Sequence, residues 1–244
     1  MIISFILKIV AWFVLGLGRL AANLIMRVRI EGLENVPQNE PLIVTANHFS
    51  WFDAPLITIF LPVRPVFLIA TESQRFWFVR WFMKVFNGIP IWRGRIDRKA
   101  IRQAITTLQD GKTIAIFPEG GINPKLAKLR AQGHQIVDDG YDNLARTDGE
   151  LTYPQPGTAY LAMQSKARIL PIALVGTEKV LKNLTRFKRT EVAIHIGPVF
   201  GPVAIESTLK RQEQRQALNR LAEQIMVQIA RLFPQEKRGP YQHI

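Results

Sequence analysis

The chain has 244 residues, 48% of them hydrophobic, which suits one large domain with a packed core and argues against global disorder. Its net charge of +13 and pI of about 10.4 attract polyanions, whether nucleic acid, anionic lipid headgroups or phosphorylated small molecules. The absence of cysteine excludes disulfides, thiolate metal sites and a cysteine nucleophile, and the four histidines (His48, His134, His195, His243) are too scattered for a zinc site.

Residues 1–26, MIISFILKIVAWFVLGLGRLAANLIM, contain only Lys8 and Arg19 as charges. The uncharged run 9–18 is too short to span a bilayer, which takes about 20 apolar residues. If Lys8 and Arg19 snorkel, a tilted or half-inserted helix is feasible. The expectation is a membrane-anchoring helical segment over residues 1–29, followed by a second unit over 30–244. Arg27 and Arg29 then mark the flank on the anionic, cytoplasmic side. A cleaved signal peptide and a buried helix are the competing readings. A third comes from Gly16-Leu17-Gly18-Arg19-Leu20-Ala21, which fits the dinucleotide fingerprint G-x-G-x-x-A. That fingerprint needs a short strand before it and an acid about 20 residues later, where Glu34 is a loose fit.

Further along, residues 42–46 (LIVTA) and 65–70 (PVFLIA) read as strands. Residues 75–86, RFWFVRWFMKVF, place Arg80 and Lys84 on one stripe of an apolar helix. Either the core or a membrane- or acyl-facing surface accounts for it. Asp97 caps a helix over 97–110 whose stripe is Ile101, Ala104, Ile105 and Leu108, with Gly111 as terminator. Strand patterns recur at 112–117, 169–175 and 191–196, a helix at 158–166, and a last amphipathic helix at 207–233. Residues 123–156, with acids at Asp138, Asp139 and Asp142, read as a long surface loop or lid. This alternation predicts an α/β fold: a mixed, largely parallel sheet flanked by helices.

Four blocks carry possible chemistry. The first is Asn47-His48-Phe49-Ser50-Trp51-Phe52-Asp53, directly after the LIVTA strand. On a regular helix, His48 and Asp53 would sit about 140° apart, so they meet only if the chain bends at a strand-to-helix junction. A carboxylate on one imidazole nitrogen fixes the tautomer and supports the cation formed on proton uptake. The second block, Gly88 to Arg95 (GIPIWRGR), offers Arg93 and Arg95 as a phosphate clamp beside Gly94. The third, Phe117-Pro118-Glu119-Gly120-Gly121, lets a ligand approach the backbone closely. The fourth is the proline-bearing apolar stretch Leu170 to Gly176. Each alone is ordinarily structural.

Taken in order, NHxSxxD, GxPxxRGR, FPEG and the proline-bearing strand resemble the 1-acylglycerol-3-phosphate acyltransferase family, over residues 31–202. The resemblance implies transfer of an acyl group from acyl-CoA or acyl carrier protein to a lysophospholipid hydroxyl, with the donor as co-substrate and no other cofactor. It implies His48 as general base and Asp53 as its orienting partner. Arg93, Gly94 and Arg95 would bind the acceptor phosphate, and Phe117, Pro118, Glu119 and Gly120 would shape the acceptor site. It further implies a membrane-associated enzyme with its catalytic domain on the cytoplasmic side and no nucleic-acid partner. Two departures stand out. Where the family usually has Thr or Ser and then Arg after FPEG, this chain has Gly121 and Ile122; and Pro154-Gln155-Pro156 replace a basic residue near Gly157. Lys125 or Arg130 are candidate substitutes. The rival classes are a nucleotide-dependent oxidoreductase, a basic nucleic-acid binder and a non-catalytic membrane scaffold.

Overall fold

The computed structural model describes residues 2–92, 97–122, 146, 148–205 and 210–244, with side chains from residue 13 onward. Seven strands form one sheet: β1 (Met26–Glu31), β2 (Leu42–Ala46), β3 (Val66–Ala70), β4 (Ile89–Ile91), β5 (Ile114–Ile116), β6 (Arg168–Val175) and β7 (Thr190–Ile196). Their order is β1-β7-β6-β2-β5-β3-β4. Strands β2 to β6 are parallel, while β7 pairs antiparallel with β6 and parallel with β1. The expected mixed, mostly parallel α/β sheet is therefore the one observed.

The helices are α1 (Ile2–Ile25), α2 (Asp53–Phe60), α3 (Trp77–Phe86), α4 (Arg98–Gln109), α5 (Pro156–Ser165), α6 (Val180–Leu184) and α7 (Arg211–Ala230). Central strand β2 is buried on both faces, and its alternation divides the core. Leu42, Val44 and Ala46 join Ala22 of α1 and Leu56 and Ile57 of α2. Ile43 faces the opposite cluster, with Ala104 of α4, Ala162 of α5 and Ile225 of α7. The expected Asp97 cap is present, its carboxylate accepting from Ala100 N–H at 3.0 Å, and Gly111 sits at φ +76° just past the helix end.

Several expectations need correcting. Residues 26–31, expected to be the end of a helical segment and its flank, form strand β1. Arg27 and Arg29 are outward residues of this edge strand, with Arg27 paired to Glu191 at 3.0 Å. Gly16 and Gly18 lie inside α1, so the strand-turn-helix context of the dinucleotide fingerprint is absent. At Gly18 an added Cβ would stand 3.0 Å from Ile59 Cδ1, so glycine lets α1 press closely onto α2. No helix among the described residues is long and apolar enough to cross a membrane. The last helix ends at Ala230 rather than 233; its expected start at 207, and Asp138, Asp139 and Asp142, lie outside the described residues.

Candidate active site

The C-terminal end of β2 delivers residues 47–52 to the edge of the sheet, and α2 begins immediately afterwards at Asp53. Asn47 anchors this junction. Its Nδ2 donates to Leu174 O at 2.9 Å and its Oδ1 accepts from Leu174 N–H at 2.7 Å, clamping β2 to β6 where both strands end. The chain then bends, and the five-residue spacing closes: His48 Nδ1 lies 2.9 Å from Asp53 Oδ2. The same oxygen accepts from the backbone N–H of Phe49 and of Ser50, each at 2.7 Å. Asp53 is fully buried, and its Oδ1 has no hydrogen-bond partner among the described residues. That orphan costs about 1–3 kcal/mol, which the three bonds on Oδ2 offset. The carboxylate is thereby fixed in place, and it fixes the imidazole in turn.

With Nδ1 committed to Asp53, Nε2 is the ring nitrogen available to a reactant. The His48 side chain is 14% exposed. Phe117 stacks on its ring, with centroids 4.0 Å apart and planes 10° from parallel, which limits rotation about the side-chain torsions. His48 and Phe117 both line a cavity of about 360 Å³. Its other walls are mostly apolar, with Val14, Leu15 and Gly18 of α1, Ile59 of α2, Phe67 of β3 and Phe82 of α3, and with Thr58 and Ser73 as polar members. The aromatic helix thus lines the cavity, where Phe78 and Trp81 stay partly open to solvent, while Trp77 is exposed and is not part of the lining; Val79 is its one described buried residue.

The FPEG stretch follows β5 and forms a turn in which Gly120 N–H donates to Phe117 O at 3.1 Å. Gly120 has φ +72°, a conformation that favours glycine. Glu119 is buried and reaches both ways. Its Oε1 accepts from His48 N–H at 3.0 Å, while Oε2 accepts from Thr152 Oγ1 at 2.8 Å and from Arg146 Nη1. Arg146 is fully buried. Its guanidinium also donates to Gly121 O at 2.8 Å, Ile122 O at 3.2 Å and Glu150 O at 3.1 Å, and lies over the Phe49 ring. Arg146 N–H closes the circuit by donating to Phe49 O at 2.6 Å. One cation therefore ties the glutamate turn to the histidine loop.

The structure brings His48, Asp53, Phe117, Pro118, Glu119 and Gly120 together at one edge of the sheet. Glu119 shapes the site by holding backbone, not by presenting a free carboxylate. Arg93, Gly94 and Arg95, and the candidate substitutes Lys125 and Arg130, lie outside the described residues; Trp92 and Asp97 on either side are linked by Trp92 N–H to Asp97 Oδ2 at 3.1 Å. Pro171 sits in β6 opposite Thr45 of β2, its carbonyl accepting from Gly197 N–H at 2.9 Å. Arg146 and Thr152 carry no signal in the sequence, and Asn47, although part of the first block, shows there no sign of its bond to Leu174. A buried glutamate does call for a cation, but nothing along the chain distinguishes Arg146 from other basic residues beyond FPEG.

A family model described as Acyltransferase matches residues 27–175. A 1-acyl-sn-glycerol-3-phosphate acyltransferase of Borreliella burgdorferi is 27% identical over 178 residues, 71% of this chain and 62% of that protein. A lyso-ornithine lipid O-acyltransferase of Pseudomonas aeruginosa is 34% identical over 105 residues, 43% of this chain and 39% of that protein. The chain thus spans less than two thirds of the length of either relative. The crystal structure of the 1-acyl-sn-glycerophosphate (LPA) acyltransferase PlsC from Thermotoga maritima matches with a TM-score of 0.61 and 26% identity, covering 90% of this chain and 80% of that one.

Proposed function

The chain belongs to the acyltransferase family, and on that premise we propose that it moves a fatty acyl group from an acyl thioester, acyl-CoA or acyl carrier protein, to the free hydroxyl of a lysophospholipid. The acceptor we assign is 1-acylglycerol-3-phosphate, giving phosphatidic acid. The observation that carries the reading is the Asp53-held imidazole of His48 in the wall of an apolar cavity.

In this reaction the acceptor hydroxyl donates its hydrogen bond to His48 Nε2. The imidazole takes the proton as the oxygen attacks the thioester carbonyl carbon, and Asp53 stabilises the imidazolium. The tetrahedral intermediate collapses by breaking the carbon–sulfur bond, and the leaving thiolate recovers the proton from His48. No acyl-enzyme forms, in keeping with a chain that has neither cysteine nor a G-x-S-x-G elbow. The cavity houses the acyl chain, each methylene withdrawn from water contributing about 0.8 kcal/mol.

The bilayer is the proposed source of the acceptor. Phe13, Leu17, Leu20 and Leu24 form an exposed apolar stripe on α1, whose opposite side lines the cavity with Val14, Leu15 and Gly18. A helix of this kind lies in the plane of one leaflet. Arg29, exposed on β1 just past the end of α1, adds positive charge there, which favours a catalytic domain on the anionic, cytoplasmic side. A different lyso-lipid acceptor is the second reading, supported by Ile122 beside the FPEG turn and by the similarity to a protein named for lyso-ornithine lipid. The deciding experiment supplies purified protein with labelled acyl thioesters and a panel of lyso-lipids, and identifies the diacyl product by mass spectrometry. Phosphatidic acid as the dominant product supports the assignment; a product from another lyso-lipid alone replaces it; no acyl transfer at all refutes the proposal.

A further inference from the structure

Residues 182–189 (KNLTRFKR) carry a feature that neither the catalytic pair nor the core uses. The end of α6 closes with two hydrogen bonds, Lys188 N–H to Asn183 O at 2.9 Å and Phe187 N–H to Leu184 O at 3.1 Å. This is the closure in which the residue in the left-handed conformation is ordinarily glycine. Here that residue is Phe187, at φ +54° and fully exposed. A Cβ in this region is strained, and an aromatic ring in water is unfavourable. Glycine would serve the turn better and a polar residue would serve solubility better. An outward phenylalanine held by a well-bonded turn points to something outside the molecule that receives it.

Its neighbours indicate what that is. Lys182, Arg186, Lys188 and Arg189 are all exposed around it. Arg189 donates to Asn23 O at 2.5 Å and Met26 O at 3.0 Å, which docks the turn against the C-terminal end of α1. Arg186 and Lys188 have no ion-pair partner among the described residues. The register agrees: Met26 pairs with Thr190, so the turn before β7 stands beside the α1–β1 junction. Because β7 is antiparallel to β6, with Val175 opposite Ala193, its start lies at the edge where β2 and β6 end. His48 emerges from that same edge.

We infer that Arg186, Phe187 and Lys188 form a second membrane-contact site. The Phe187 ring enters the interface of an anionic bilayer, and the two cations engage the phosphates of its headgroups. Together with the outer stripe of α1, this contact turns the catalytic edge of the sheet toward the lipid. A single ring on a convex tip between cations suits a deformable anionic surface; a protein groove would be met by a larger apolar patch. The inference rests on the lipid reading proposed above, although its test does not depend on acyl transfer.

The test is co-sedimentation of the full chain with phosphatidylglycerol–phosphatidylcholine vesicles and with pure phosphatidylcholine vesicles. Wild type, Phe187→Gly and the double variant Arg186→Gln/Lys188→Gln are compared, with a thermal melt of each. Phe187→Gly should melt no lower than wild type, since it relieves the left-handed strain, yet bind anionic vesicles about 5–10-fold more weakly. The double variant should lose about 25-fold at low salt, about fivefold per cation, and much of the preference for anionic lipid. Turnover of a short-chain lyso-acceptor in free solution should not change in either. Wild-type-like binding by both variants overturns the inference, as does a wild type that ignores vesicles, and either result leaves acyl transfer standing. Loss of a dimer on Phe187→Gly with vesicle binding intact also overturns it, by assigning the ring to self-association. Vesicle binding through this turn by a chain that makes no diacyl product would sustain the inference while removing the proposed reaction.

Discussion

Arg146→Met tests how the two halves of the site are held together. In the folded chain, Arg146 is fully buried and faces the carboxylate of Glu119, itself 1% exposed. Removing the guanidinium leaves that carboxylate with Thr152 Oγ1 at 2.8 Å and His48 N–H at 3.0 Å as its remaining donors. It also strips the donor from Gly121 O and Ile122 O. Breaking a buried ion pair from one side costs about 3–5 kcal/mol, because a charge is stranded out of water. Against a total stability of about 5–15 kcal/mol this is a large fraction. With a urea m-value of up to about 3 kcal/mol/M, the unfolding midpoint should fall by at least about 1 M with the slope unchanged. The double variant Arg146→Met/Glu119→Gln has no charge to strand. It should be more stable than Arg146→Met alone, a coupling of about 1–3 kcal/mol measured by the double-mutant cycle. A loss below about 1 kcal/mol for Arg146→Met, or costs that simply add, would refute the claim that this pair binds the glutamate turn to the histidine loop.

Other outcomes follow from the same geometry. Asp53→Asn keeps the shape of the buried side chain but removes the charge that supports a protonated His48; kcat should fall by about 10³–10⁴-fold with little change in acceptor KM, and steady-state kinetics at near-normal kcat would contradict the orienting role. Gly18→Leu forces a side chain into a gap where Cβ alone would lie 3.0 Å from Ile59 Cδ1, on the cavity wall. The expected result is a steeper loss of kcat/KM for hexadecanoyl than for octanoyl donors, and equal losses for both would place the acyl chain elsewhere.

Strands β2, β3, β5, β6 and β7 were legible because each is a short apolar run or a clean alternation bounded by turn residues. The cap at Asp97 was legible for the same local reason. Strand β1 was not. Its sequence MRVRIE alternates apolar and charged residues, as an edge strand should, but it directly follows 24 helical residues, so Arg27 and Arg29 read as a helix flank. The three-residue β4 is too short to show a period. In the site, motif order identified His48, Asp53 and the FPEG turn, since their spacing is local. Asn47 bonding across to Leu174, and Arg146 reaching back to Glu119, are contacts made by the sheet order and the chain path, and no spacing rule encodes them. The exposed Phe187 was invisible for the opposite reason: a left-handed phenylalanine has no sequence signature, because the turn's hydrogen bonds place it there.

The central claim is that the His48 imidazole, held at 2.9 Å by Asp53, removes the proton from an incoming hydroxyl. Its most direct test is the acyl-transfer rate of His48→Ala, measured by mass spectrometry of the diacyl product, alongside a circular-dichroism melt. The account predicts a folded protein with a wild-type-like melt whose turnover is at least about 10²–10⁴-fold lower. A folded variant that still produces diacyl lipid at near the wild-type rate would contradict it.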